Sequence, residues 1–278
     1  MSVRSLRGKL EMGSNFVFDQ PHYDALNTAR EATLRQLLES LRKDLELQNA
    51  VDVGCGLGHF AVFLRNLGFD VLALDGRQEN VNEAKRRAPE IEFHVANAED
   101  RGIQVLGKFD LVLCLGLLYH LENPFLAIRN LFAMTGKVAV LEGMCVPGDE
   151  PIFAVRDEGP TEDQGLRHVA LYPSENGLVK LLYCSGFSHV YRLRTRPALR
   201  EYEGSAVRKQ GRTMLVAALG ELSLKMLIRA AEPHTDPDPW TIHHGPVALV
   251  RRVLRPLVRL WRSSGKQTRL GQGSGTAN

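Results

Sequence analysis

The sequence predicts an α/β protein: a doubly wound, mostly parallel sheet of seven strands with an antiparallel last strand. Two observations predict this fold. Short apolar segments alternate with segments of helical periodicity, and a glycine-rich turn follows the first apolar segment. We expect residues 1–45 to form an N-terminal helical cap and residues 46–220 to form the sheet domain. Residues 221–278 are expected to form a linker and a C-terminal basic helical tail.

The composition is typical of a globular protein with a buried core. The chain has 278 residues, of which 44% are hydrophobic and 24% charged. From Gly220 onward there are nine Lys/Arg and four Asp/Glu, whereas residues 1–219 have 26 Lys/Arg and 28 Asp/Glu. The net positive charge therefore belongs to the tail, and no DNA partner is expected. Isolated cysteines predict neither a metal site nor disulfides. Since no signal peptide or membrane-spanning run is recognisable, we expect a cytoplasmic protein.

The elements follow a regular order along the chain. A first helix is predicted from Pro21 to about Asp44, because Pro21 suits a first turn and leucines recur at helical spacing. Residues 143–172 are rich in Gly, Pro, Asp and Glu and are predicted to be a long insertion. Seven strands, the last two forming a hairpin-like pair, are predicted at Ala50–Val53, Asp70–Leu74, Ile91–Ala96, Phe109–Leu115, Lys137–Leu141, 187–193 and 212–219.

A glycine loop and an acidic residue together indicate a nucleotide site. Gly54, Gly56 and Gly58 follow the first strand, where glycine lets a ligand approach the backbone and the next helix offers free N–H donors. Asp75 ends the second strand, where a carboxylate can accept hydrogen bonds from two ribose hydroxyls. This order and distance favour an adenosine ligand.

Four segments resemble the motifs of class I S-adenosylmethionine-dependent methyltransferases, which have a Rossmann-like fold. The segments are Val51–Gly58, Leu72–Asp75, Phe109–Cys114 and Ala170–Leu193. Taken together they cover about residues 45–220. The resemblance implies S-adenosylmethionine as the cofactor and methyl transfer as the reaction.

The resemblance also implies roles for individual residues. Gly54, Gly56 and Gly58 would pass close to the methionine and ribose portions of the cofactor. Asp52 would orient that loop or meet the ammonium through water, and Asp75 would bind the ribose hydroxyls. Asn97 stands where many relatives place an aspartate, and an amide can still meet the adenine edge. The other cofactor residues expected are Cys55 in the loop, Gly76, Arg77 and Ala98 around the adenine, and Leu115 and Tyr119 beside the cofactor.

Chemistry on the acceptor is expected beyond the carboxyl ends of the fourth and fifth strands. His120 follows the fourth strand, and an imidazole can remove a proton from a hydroxyl near neutral pH. Either it does so, or the Tyr119–His120 pair only packs against the next helix. Glu142 ends the fifth strand and either holds a substrate hydroxyl or amine, or is a solvated charge.

Three other functions compete with O-methylation of a small molecule or glycan, which is the leading hypothesis and includes a lipid-linked acceptor. A nicotinamide dehydrogenase shares the loop and the acid, but its fingerprint is GxGxxG, whereas His59 follows Gly58 here. The segment Leu115–Pro124 resembles enzymes that modify tRNA wobble uridine with S-adenosylmethionine or a carboxylated form of it. The third competitor is a non-catalytic, S-adenosylmethionine-binding regulator or scaffold.

The C-terminal tail has the pattern of a basic amphipathic helix. Over residues 247–262, apolar residues from Val250 to Trp261 recur at helical spacing, and arginines occupy the other positions. Pro256 would kink or split this helix. The pattern predicts either peripheral contact with an anionic membrane or packing against the domain or a second copy.

Overall fold

The chain divides into two compact units, Met1–Pro233 and His234–Asn278. The predicted basic helix over 247–262 lies outside the described residues. No helix in the described part of the chain is long and apolar enough to cross a membrane. The computed structural model describes residues 16–157, 166, 169–203 and 211–234.

An eight-stranded sheet forms the centre of the first unit. In chain order the described strands are β1 (Asn49–Val53), β2 (Asp70–Asp75), β3 (Glu92–Val95), β4 (Phe109–Leu115), β5 (Thr135–Cys145), β6 (Phe153–Asp157), β7 (Val169–Pro173), β8 (His189–Leu193), β9 (Gly211–Ala218) and β10 (Leu227–Arg229). The order in the main sheet is β10-β8-β9-β5-β4-β1-β2-β3. Strands β3, β2, β1, β4 and β5 run parallel, and β9 is antiparallel to both β5 and β8. The predicted doubly wound sheet is therefore confirmed.

The sheet has one strand more than the seven predicted. Strand β10 pairs with β8 antiparallel and lies in the segment expected to be a linker. It belongs to the sheet domain because Leu222, Leu227 and Ala230 are buried against the core. The predicted domain boundary at residue 220 was too early. Three prolines a little further along the chain suggested a linker, and the short apolar segment before them lacks the alternating pattern of a strand.

Part of the predicted insertion is regular structure. Strand β5 continues to Cys145, and β6 and β7 pair antiparallel as a separate two-stranded sheet. A hairpin of this kind is held by backbone pairing and needs little apolar periodicity, so its strands were hidden by the polar residues around them. It approaches the main sheet where Tyr172 packs edge-on against Tyr119, with 5.6 Å between ring centroids.

Five described helices cover the two faces of the sheet: α1 (Pro21–Leu45), α2 (His59–Asn66), α3 (Gln78–Arg87), α4 (Pro124–Met134) and α5 (Glu175–Ser185). Helices α1 to α3 pack on one face and α4 and α5 on the other. Local signals fix their ends. Asn123 caps α4 by accepting from the N–H of Leu126, and Ser174 caps α5 by accepting from the N–H of Gly177.

The central strands are buried on both faces, which explains their continuous apolar sequence. In β4, Leu111, Leu113 and Leu115 belong to the core under α1 and α2, whereas Val112 and Cys114 face α4. Because β1, β2 and β4 are adjacent and parallel, their carboxyl ends meet at one edge of the sheet. The site described below lies at that edge.

Candidate active site

The glycine loop connects β1 to α2 in a positive-φ conformation, which is unfavourable for residues that have a side chain. Gly54 and Gly58 have φ values of 80° and 87°. A Cβ on Gly58 would lie 2.9 Å from the ring of Phe93, so this position excludes larger residues. The N–H groups of Gly54 and Cys55 donate to the carbonyl of Leu74 at 2.8 and 2.9 Å, which ties the loop to the end of β2.

Asp75 lies under this loop with its carboxylate already oriented. It accepts hydrogen bonds from the backbone N–H of Gly56 and of Arg77, both at 2.9 Å, and from Nδ2 of Asn80 at 3.0 Å. Burial raises the pKa of Asp75, while these hydrogen bonds act to lower it. The sequence prediction missed Asn80, which stands in the first turn of α3 and lines the same cavity as Asp75.

Asp52 supports the loop from inside the protein. Its side chain is buried, accepts from the backbone N–H of Ala61, and leaves Oδ2 without a partner among the described residues. Burial, and then the charge of Asp75, raise the pKa of Asp52 from 3.8 to about 7. Asp52 is not among the described residues that line the cavity, so direct contact with a ligand is not indicated.

The residues expected around an adenine stand together outside the cavity. The N–H of Ala96 donates to the carbonyl of Asp75 at 2.9 Å, which places Asn97 and Ala98 beside Gly76 and Arg77. The Asn97 side chain accepts from the N–H of Glu99 at 2.9 Å, and Arg77 pairs with exposed Glu79. None of these four predicted residues is among the described residues that line the cavity.

A cavity of about 410 Å³ opens in front of the glycine loop. Helix α1 and the 3-10 turn before it form one wall, and the loop and the end of β4 form the floor. Phe18 in that turn packs over the loop, since its ring would lie 3.3 Å from a Cβ on Gly56. Predicted residues that do line the cavity are Gly54, Cys55, Gly56, Gly58, Asp75, Leu115, Tyr119 and His120.

Tyr119 and His120 lie in a 3-10 turn after β4, which is separated by β1 from the strand β2 that Asp75 ends. Both side chains are buried, and their ring centroids are 4.1 Å apart. Gly143 leaves room for this pair, because a Cβ there would lie 3.1 Å from the Tyr119 ring. The two predicted residues are therefore held rigidly at the cavity wall.

Glu142 is the centre of a buried arginine cluster formed with Arg30, Tyr202 and Arg212. Its carboxylate contacts Nη2 of Arg30, and accepts from the Tyr202 hydroxyl at 2.8 Å and from Nη1 of Arg212 at 3.1 Å. Burial acts to raise the pKa of Glu142, but the two guanidinium groups outweigh it and hold the pKa below its usual value. Glu142 is thus neither solvated nor among the described residues that line the cavity.

The sequence prediction missed Arg30 and Arg212, although both carry a signal. Arg30 occupies a position in the apolar stripe of α1, between buried Leu26 and Leu34. Arg212 is the second residue of β9, on the face that continues with Met214 and Val216 into the core. An arginine at a core-facing position needs a buried partner, but its partner lies too far along the chain to be identified from sequence.

Part of the chain is similar to known methyltransferases. Residues 51–137 match the family model described as "Methyltransferase domain". A ubiquinone biosynthesis O-methyltransferase of Xanthomonas oryzae pv. oryzae (strain PXO99A) is 34% identical over 94 residues, which are 32% of this chain and 39% of that protein. A tRNA U34 carboxymethyltransferase of Colwellia psychrerythraea is 29% identical over 153 residues, 53% of this chain and 47% of that one. The chain thus spans less than half the length of each relative.

Solved structures agree on the fold. The N-terminal domain of EvdMO1, crystallised in the presence of SAH and D-fucose, aligns with a TM-score of 0.58 at 22% identity, covering 78% of this chain and 97% of that one. Magnesium protoporphyrin IX methyltransferase from Synechocystis PCC 6803, with bound SAM, aligns with a TM-score of 0.50 at 20% identity, covering 79% and 92%. Residues 51–137 thus match a methyltransferase domain, and the described fold is that of these SAH- and SAM-bound proteins.

Proposed function

We propose that the protein transfers a methyl group from S-adenosylmethionine to a hydroxyl of a small molecule or glycan. One observation carries the proposal: a single cavity joins the glycine loop and Asp75 to the buried pair Tyr119 and His120. The first part of this cavity suits an adenosine ligand, and the second offers groups that can position and deprotonate an acceptor. The similarity to an O-methyltransferase over 94 residues supports the same reaction class.

The residues present fit the proposed cofactor. Gly54 and Gly56 line the cavity, and a Cβ on them would lie 3.0 Å from Leu117 and 3.3 Å from Phe18, so glycine keeps this stretch of loop narrow. N–H groups at the start of α2 lie beside it. Asp75 keeps lone pairs for two ribose hydroxyls, since a carboxylate can accept about four hydrogen bonds and three are in use. The segment Asn97–Ala98, beside Gly76, would meet the adenine edge.

Bound S-adenosylmethionine would supply an electrophilic methyl group on a sulfonium. The protein must then align a hydroxyl oxygen in line with that methyl group and exclude water. Tyr119 forms the wall beside the reacting atoms, and His120 accepts the hydroxyl proton as the methyl–oxygen bond forms and the methyl–sulfur bond breaks. The products are a methyl ether and S-adenosylhomocysteine.

Glu142 has a different role in this scheme from the one predicted. Its two oxygens already accept from Arg30, Tyr202 and Arg212, and its lowered pKa makes it a poor proton acceptor. We therefore assign it as a positioning residue that fixes both arginines at the cavity wall. His120 alone then remains as the proposed base among the predicted catalytic residues.

Calorimetric titration with S-adenosylmethionine, S-adenosylhomocysteine and NAD tests the cofactor. We expect the first two to bind in the micromolar range and Asp75→Ala to weaken them by about a hundredfold, because charged hydrogen bonds to two hydroxyls are lost. Asp70→Ala, at the exposed start of the same strand, is the matched control. Binding of NAD alone would contradict the proposal. A screen of hydroxylated acceptors with radiolabelled S-adenosylmethionine then identifies the acceptor.

Transfer to tRNA is a second candidate function. It is favoured by the 153-residue similarity to the tRNA U34 carboxymethyltransferase, which covers 53% of this chain. A carboxylated cofactor would also suit the two arginines beside Tyr119. Mass spectrometry of nucleosides from tRNA incubated with the protein and either cofactor distinguishes the two functions, because only this candidate predicts a modified uridine.

A further inference from the structure

The arginine end of the cavity, formed by Arg30, Tyr119, His120 and Arg212, carries more positive than negative charge. The two guanidinium groups are buried, with side-chain exposures of 6% and 9%. They share one buried carboxylate, Glu142, whose side chain is fully enclosed. The other acid in contact with Arg212 is Glu201, which is 49% exposed and therefore screened by water. Two buried cations thus face one buried anion.

One donor of this cluster is unused. Nε of Arg30 is buried and has no hydrogen-bond partner among the described residues, while its Nη groups contact Glu142 and Asn27. A buried N–H of a charged group without an acceptor is unfavourable, so such groups are almost always paired. Because Arg30 lines the cavity, a ligand entering the cavity can supply the missing acceptor.

Of the other acids that line the cavity, Asp24 is exposed, Asp75 is held by the glycine loop, and two pair with other residues. Asp19 forms two hydrogen bonds of 2.7 Å with Arg87, and Glu31 lies 2.7 Å from His59. The proposed cofactor would not neutralise the excess positive charge of the two arginines either. The amino acid part of S-adenosylmethionine is a zwitterion with no net charge, and its sulfonium adds a positive charge.

We propose that the acceptor carries a carboxylate, and that Arg30 and Arg212 bind this group while its hydroxyl is methylated. A carboxylate matches the planar fork of a guanidinium and supplies the single negative charge that the arginine end lacks. This inference rests on the proposed function and names the class of its acceptor. It also assigns Glu142 and Tyr202 the task of holding the two guanidinium groups in place.

The test uses protein saturated with S-adenosylhomocysteine and two probes of the same shape, 4-hydroxybenzoate and 4-hydroxybenzamide. We expect the acid to bind at least about tenfold more tightly than the amide, and Arg30→Gln or Arg212→Gln to remove this preference, because a charge-assisted pair is lost. Affinity for S-adenosylhomocysteine should stay within about twofold. Arg101→Gln, an exposed arginine, is the matched control.

Two further variants show whether a lost preference comes from misfolding and not from the lost carboxylate contact. Arg30→Lys and Arg212→Lys keep the charge that Glu142 requires and lose only the forked geometry, so they should fold and retain part of the preference. Thermal unfolding of every variant is recorded by circular dichroism beside the binding measurements.

Two results would overturn the inference. The first is equal binding of the acid and the amide to the wild-type protein. The second is a tenfold loss of S-adenosylhomocysteine affinity in Arg30→Gln with unchanged affinity for 5′-methylthioadenosine, since Arg30 would then serve the carboxylate of the cofactor. Failure of the wild-type protein to bind S-adenosylhomocysteine would instead overturn the proposed function itself.

Discussion

The two ends of the cavity are built in different ways. The glycine-loop end, Gly54–Gly58 with Asp75, comes from two adjacent strands and is held largely by backbone N–H groups. The arginine end comes from α1, the turn after β4, and β9, and is held by side-chain contacts such as that between Arg30 and Glu142, 112 residues apart. We infer that the first end is fixed by local chain geometry and the second by long-range electrostatics, so substitutions should affect them separately.

The substitution His120→Asn is expected to separate the two ends of the cavity most clearly, because it should change catalysis and leave cofactor binding unchanged. Loss of the proposed proton acceptor should lower kcat by about a hundredfold to ten-thousandfold, with the acceptor that the screen identifies. Binding of S-adenosylhomocysteine should not change, because no residue of the glycine-loop end is altered. Single-turnover kinetics and calorimetry measure the two quantities. Unchanged kcat would show that His120 only packs against Tyr119.

Glu142→Gln should have the next largest effect, and it should act on stability. The substitution leaves two buried guanidinium groups without their counter-charge, which costs about 3–5 kcal/mol of unfolding free energy. Urea unfolding followed by circular dichroism measures this loss. Glu79→Gln, in an exposed pair with Arg77, serves as control and should leave the unfolding midpoint unchanged. A similar response of the two variants would refute the buried electrostatic account.

A smaller loss is expected from Tyr202→Phe. The hydroxyl of Tyr202 donates to Glu142 at 2.8 Å, and removing a hydrogen bond to a charged group costs about 2 kcal/mol. Tyr202 is not among the described residues that line the cavity, so affinity for S-adenosylhomocysteine should be retained. Reduced affinity without reduced stability would contradict the separation of the two ends.

At the glycine-loop end, Asp52 should make stability depend on pH. Its pKa is raised from 3.8 to about 7 in the folded protein by burial and by Asp75. Below about pH 4 both states hold the proton and the group has no effect, whereas between about pH 4 and 7 only the folded state holds it. Stability should then fall by about 1.4 kcal/mol for each pH unit in this range, with no further fall above it.

The measurement is urea unfolding of the wild-type protein and Asp52→Asn at several pH values. An amide does not titrate, so the difference between the two curves isolates the contribution of Asp52 from that of Asp75 and Glu142. Parallel curves between pH 4 and 7 would mean that Asp52 has an ordinary pKa.

The contrast between the two ends also explains what could be predicted from sequence. The loop, Asp75 and the positions of Tyr119 and His120 were predictable, because strand ends in a parallel sheet converge at one edge. The arginine cluster was not, because the contacts of Glu142 join residues 60 to 112 positions apart. In the fold, β10 and the β6–β7 hairpin were missed, since short strands with mixed polarity leave no periodic pattern.

The three hydrogen bonds of Asp75 have a thermodynamic consequence. The backbone of Gly56 and Arg77 and the side chain of Asn80 already restrict this carboxylate to one orientation. The entropy of ordering a side chain, about 0.5–1.5 kcal/mol, is therefore lost during folding and not again during binding. Asn80 thus makes the ribose site preorganised: the heat released when a nucleoside binds should reflect new hydrogen bonds, with little opposing cost from this side chain.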